Sequence, residues 1–170
     1  MAKRCMMIQV AQHLYTHPFD PERDIYLQSA VSRYYYSALR SALQLYQAIN
    51  KTEHAPKREK IKTKAQDALK SIAAKLENSS DPDKKLLAQK AATLAFELHS
   101  FLSKYNEVRN AVDYDFDVFI DLDNPDHPVA SKRIMAEFKG SAVTLKEISS
   151  KADFINKETL EILSFLGETI

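Results

Sequence analysis

The chain has 170 residues, 24 Lys or Arg against 23 Asp or Glu, two glycines, one cysteine and no tryptophan. That length suits one domain able to bury a core without disulfides or a structural metal, and the lone Cys5 excludes a disulfide framework and a cysteine zinc cluster. A net charge of +1 argues against a globally basic nucleic-acid binder but leaves room for a local basic surface.

No signal peptide is read at the start, because Gln9, Gln12 and His13 break the apolar run. No stretch approaches the roughly 20 apolar residues of a membrane span. The expectation is a cytoplasmic protein without membrane contact. Scarce glycine with abundant Ala, Leu and Lys favours long helices over strands. The chain therefore reads as all-α: one domain over 1–170, an antiparallel helical bundle of about five helices, with its core bundle at about 20–154.

Prolines punctuate the pattern. A short first helix is expected over about Lys3 to Thr16, closed by Pro18 and Pro21. Asp20-Pro21 looks like an N-cap followed by a proline at the first helical position. The second helix then runs to about Asn50 on the stripe Leu27, Val31, Tyr34, Tyr35, Ala38, Ala42, Leu45 and Ile49. Pro56 opens a third helix reaching about Leu76, with Ile61, Ala65, Ala68, Leu69, Ile72 and Leu76 as its apolar face. Asn78 to Pro82 is a turn with a capping residue and a proline behind it. The fourth helix spans about Asp83 to Val112 on Leu87, Ala91, Leu94, Leu98, Leu102, Tyr105, Val108 and Val112. After an irregular acidic segment, a fifth helix is expected from about Pro128 to Phe154, carrying Ile134, Phe138, Ala142, Leu145 and Ile148. A break at Ile155-Asn156 would precede a last short helix from Lys157 to Leu166.

Charge is distributed unevenly. Lys51 to Lys75 carries eight basic residues and three acidic ones, a pattern that fits a solvated helix face or a phosphate-contacting surface. Glu107 to Asp126 carries seven acidic residues against Arg109 alone. Asp113, Asp115, Asp117, Asp121 and Asp123 resemble part of a calcium loop, but Val118 and Asn124 replace the glycine and glutamate that such a loop requires. Carboxylates beyond a helix C-terminus oppose its dipole, so Arg109, Arg33 or a partner must offset them. His13 and His17 share helical spacing, but Pro18 ends the helix there and no HExxH pattern accompanies them. No metal and no cofactor are expected. Beside the second helix's core stripe runs a polar line in which Arg33, Tyr36 and Arg40 share one face.

Two motifs carry a family resemblance. Ala30-Val31-Ser32-Arg33-Tyr34-Tyr35-Tyr36-Ser37-Ala38 lies in the second helix, and Arg109-Asn110-Ala111-Val112-Asp113-Tyr114 ends the fourth. Their order, separation and helical context resemble the HEPN superfamily, above all its small stand-alone members, over about Asp20 to Phe154. The resemblance implies a helical bundle that dimerises. In active members an Arg-x4-6-His motif at the dimer interface cleaves RNA without a metal. Many such proteins are toxins or defence effectors, often beside a nucleotidyltransferase antitoxin. Arg109 matches the motif arginine and Asn110 the polar residue that often follows it; after a four-residue gap stands Tyr114, not histidine, and no histidine follows Arg109 before His127.

The resemblance therefore implies two functions. One is a metal-independent ribonuclease in which Arg109, Asn110 and Tyr114 act and Arg33, Tyr36, Arg40 and Asp113 bind RNA or a nucleotide. The other is a catalytically silent subunit that dimerises or binds a partner such as a nucleotidyltransferase or another defence protein. Histidine suits the 2′-hydroxyl proton transfer, whereas a tyrosine of ordinary pKa near 10 is a poor base. If the second and fourth helices pack antiparallel, Arg33 and Tyr36 converge with Arg109, Asn110 and Tyr114.

Overall fold

The computed structural model describes Ile8, Gln12 and residues 23–114 and 143–168. The described chain is all-α. Its helices are α1 (Arg23–Asn50), α2 (Ile61–Leu76), α3 (Pro82–Tyr114) and α4 (Leu145–Glu168), with a 3₁₀ turn at Arg58–Lys60 before α2. The expected first helix, the acidic segment beyond Tyr114 and the portion 128–142 of the expected fifth helix lie outside the described residues.

The apolar stripe of α1 is buried from Val31 through Leu45, where Tyr34, Ala42 and Leu45 are wholly enclosed. The helix stops where Lys51 takes the left-handed conformation at φ 49°. Thr52 N–H then donates to Gln47 C=O at 3.0 Å and Lys51 N–H to Ala48 C=O at 3.4 Å. This is the paired backbone closure usually built on glycine.

The expected start of the next helix at Pro56 is displaced. Residues 52–57 are irregular, and α2 begins only at Ile61, with Lys60 at the cap position and no side-chain cap bond. None of the residues from His54 to Lys60 is Ser, Thr, Asp or Asn, so nothing there supplies the acceptor that fixes a helix start.

The α2–α3 turn follows its sequence signals closely. Asp81 Oδ1 accepts from Asp83 N–H at 3.0 Å, and Pro82 takes the first helical position of α3, where its missing N–H costs nothing. All eight expected core residues of α3 are buried.

The C-terminal helix differs most from expectation. It does not run unbroken from Pro128 to Phe154: Val143 is outside it, and Thr144 caps it by accepting from Glu147 N–H at 3.0 Å, the Thr-x-x-Glu signature of a helix start. Nor does it break at Ile155-Asn156. The buried residues Leu145, Ile148, Ala152, Ile155, Thr159 and Ile162 recur at spacings of three and four, one continuous helical face. No proline or glycine falls between Leu145 and Leu166, so no residue there interrupts the helix.

The described chain divides into two compact units. The first comprises residues 38–102 and 154–168, with a core of Ala42, Leu45, Leu69, Leu94, Leu98, Ile155 and Ile162. Lys90 of α3 donates to Glu161 of α4 there and lies 3.7 Å from Glu158. The second comprises Ile8, Gln12 and residues 23–37, 103–114 and 143–153, with a core of Tyr34, Tyr105, Val108, Val143 and Ile148. In it, Gln12 donates to both carboxylate oxygens of Asp153, at 2.8 and 3.1 Å.

Candidate functional site

Within the second unit, α1 and α3 meet through three polar contacts. Ser32 Oγ donates to Asp113 Oδ1, Tyr35 Oη donates to Asn106 Oδ1 at 3.1 Å, and Arg109 Nη2 donates to the Tyr36 hydroxyl oxygen. Ser32 meets Asp113, whereas Tyr35 and Tyr36, about a turn later in α1, meet Asn106 and Arg109, one to two turns earlier in α3, so the two segments are antiparallel. Ser32, Tyr35 and Tyr36 fall at helical spacings of three and four, as do Asn106, Arg109 and Asp113, so each set shares a face.

Arg109 is the hub. Its Nη1 donates to Asn110 Oδ1 and its Nε lies 2.8 Å from Asp113 Oδ2 one turn later. The guanidinium carbon stands 5.1 Å from the centre of the Tyr36 ring. Tyr36 in turn meets the Tyr35 ring edge-on at 5.7 Å. Arg109 is only 8% exposed, so its charge is held mostly away from water. Burial of an arginine requires such partners, because desolvation without them costs several kcal/mol. Asp113 is what the α3 C-terminus would otherwise repel; Arg109 and the Ser32 hydroxyl supply the compensation.

A second polar group sits in the same unit. Glu147 accepts from Lys104 at 3.2 Å and pairs with Lys151 at 3.3 Å. Burial alone would raise its pKa, but hydrogen bonds from Tyr105 and Lys104, with the charge of Lys104, outweigh that and hold it below the ordinary glutamate value.

The structure thus brings together Arg109, Asn110, Asp113 and Tyr36. Arg33 is exposed on α1 and takes no part in the hydrogen bonds described. Arg40 is exposed and belongs to the other unit. Tyr114 ends α3, and its side chain lies outside the described residues, as do Asp115 to Asp126. Sequence reasoning overlooked Ser32, Tyr35 and Asn106. Ser32 and Tyr35 stood inside the motif of the second helix, and the signal available was the position of Ser32 one turn before Tyr36 and three residues before Tyr35. Among the described residues, no three His, Cys, Asp or Glu side chains converge as metal ligands, and no helix is long and apolar enough to cross a membrane.

Compared with family models, curated proteins and solved structures, the chain matches none.

Proposed function

We propose that this chain is a HEPN-like, catalytically silent subunit of a prokaryotic toxin–antitoxin or defence system, acting by dimerising and binding a partner protein, of which a nucleotidyltransferase antitoxin is the class the resemblance implies. The observation that carries this reading is the state of Arg109. Its guanidinium is nine-tenths buried and engaged by Asp113, Asn110 and Tyr36. A catalytic arginine needs its fork open to phosphate oxygens, and here a carboxylate already occupies the ionic partner's place. No histidine stands at the motif position to move the 2′-hydroxyl proton.

The second reading is a metal-independent ribonuclease acting through Arg109 at a dimer interface. One observation favours it: Asn110, next in the motif, orients the Arg109 side chain directly, as a positioned catalytic group requires.

One experiment separates the two. The purified protein and its Arg109→Ala variant are incubated with RNA in chelator, and each is expressed in a bacterial host. The silent reading expects intact RNA, no Arg109-dependent growth arrest and a lowered melting temperature in the variant. Cleavage or arrest that disappears in a variant of unchanged melting temperature establishes the ribonuclease. Light scattering tests dimerisation: only monomer mass at tens of micromolar protein in low salt removes that part of the proposal.

A further inference from the structure

The Lys51–Lys75 stretch belongs wholly to the first unit and plays no part in the Arg109 cluster. Lys90, Lys104, Lys151 and Arg109 each stand within 4.0 Å of a carboxylate. Among the described residues, Lys57, Lys60, Lys64 and Lys70 have no ion-pair partner, and all four are exposed. Lys60 and Lys64 are one turn apart and share a face. The first turn of α2 contains no acidic residue and its start carries no side-chain cap, so lysines crowd the positive end of the helix dipole, which costs free energy in the isolated chain.

The neighbouring helix registers this field. His99 of α3 is pushed below the ordinary histidine pKa, first by burial and then by the charges of Lys62 and Lys70, against an opposing contribution from Asp67. On that same helix Phe96 is 67% exposed. It lies one turn beyond Ala92, which lines a groove of about 440 Å³ with Lys70, Lys85 and one carboxylate, Glu77, and with Ala73, Ala74 and Ala88. Lys70 and Ala92 line that groove together, and Phe96 stands one turn from Ala92; single strands use such a pairing, cations along the backbone and a ring on which a base stacks. The three exposed large apolar residues among those described are Leu86, Phe96 and Phe154, and none lies in the lysine stretch. Apart from Phe96 the proposed surface therefore offers no large exposed apolar side chain of the kind that forms the core of a protein interface or inserts into a membrane. Phosphate contacts need no such core.

We propose that the exposed lysines Lys57, Lys60, Lys64 and Lys70, with Phe96, form a docking surface for single-stranded nucleic acid, the lysines following the phosphates and the ring stacking a base. From Lys60 to Lys70 the chain advances about 15 Å at 1.5 Å per helical residue, enough to follow several phosphates of one strand.

The test uses the full chain with fluorescent RNA and DNA oligonucleotides of mixed sequence, single- and double-stranded. Single strands bind; with four phosphate contacts, raising salt from 50 to 200 mM weakens binding about 50-fold. The combined variant Lys57→Glu, Lys60→Glu, Lys64→Glu weakens it at least about tenfold. A charge-matched control, Lys84→Glu, Lys146→Glu, Lys157→Glu, stays within about threefold of the parent in binding, and both triple variants keep the parent's far-UV spectrum. Phe96→Ala weakens single-strand binding about tenfold and leaves the salt slope unchanged. A preference for RNA or for DNA identifies the source of the phosphodiester without altering the proposal. No binding at 50 mM salt overturns it, as do equal losses in the two triple variants, duplex preferred to single strand, or binding to phosphatidylserine vesicles or polyglutamate but not to oligonucleotides.

Discussion

The Arg109 cluster and the Lys51–Lys75 surface hold positive charge in opposite ways. Arg109 is buried and committed to Asp113, Asn110 and Tyr36; Lys57, Lys60 and Lys64 are exposed and, among the described residues, without ion-pair partners. The first arrangement joins two helices, and removing one partner strands another in a poorly solvated place. The second contributes nothing to packing, so its residues are free to serve a ligand. Charge content alone does not separate the two; burial and partner geometry do.

That contrast is best calibrated against the apolar core. Leu98 is 1% exposed, and Leu98→Ala should lower stability by about 2–5 kcal/mol in denaturant unfolding; a loss near zero would mean that α3 presents a different face to its unit. Arg109→Ala comes next, at about 1–3 kcal/mol, because it leaves Asp113 and the Tyr36 hydroxyl short of a partner. A loss under about 0.5 kcal/mol would erase the distinction between the two regions. Tyr36→Phe removes one hydrogen bond to the same guanidinium and should cost about 1 kcal/mol, less than additively with Arg109→Ala, since the two share the contact. Lys60→Ala and Lys64→Ala should each fall within about 0.5 kcal/mol of the parent in the same assay.

The smallest expected effect is in the pH profile. His99 has a folded pKa below its unfolded value of 6.5, so the unfolded chain takes up its proton first as the pH falls. The His99 contribution is therefore fully present above pH 6.5 and declines below it. His99→Gln should flatten the melting temperature between pH 7.5 and 5.5 relative to the parent; an unchanged slope would mean that burial and the lysine charges together do not hold its pKa down. Occupancy of the lysine surface by a polyanion should move the His99 titration, followed by NMR, upward.

Periodicity and punctuation made most of the helical pattern legible. α1 and α3 follow apolar stripes spaced by three and four, and the Asp81-Pro82 start of α3 was written in two residues. Where the sequence reading went astray, the cause was local. At Pro56 a proline suggested a helix start that no capping side chain supported. At Ile155-Asn156 an asparagine suggested a break, although the residues on either side kept the helical period. Asn156 is itself buried, and position within the helix prevailed over its weak local preference.

For the candidate site, the sequence by itself determined that Arg109, Asn110 and Asp113 share one helical end and that Tyr36 lies on the polar edge of α1, because helical spacing fixes which side chains are neighbours on one element. It did not determine the partners. That Tyr36 rather than Arg33 reaches Arg109, and that Ser32 reaches Asp113, depends on the rotation and register of one helix against another. Those are set by the packing of the Tyr34, Tyr105 and Val108 core, a property of the assembled unit that no single segment encodes.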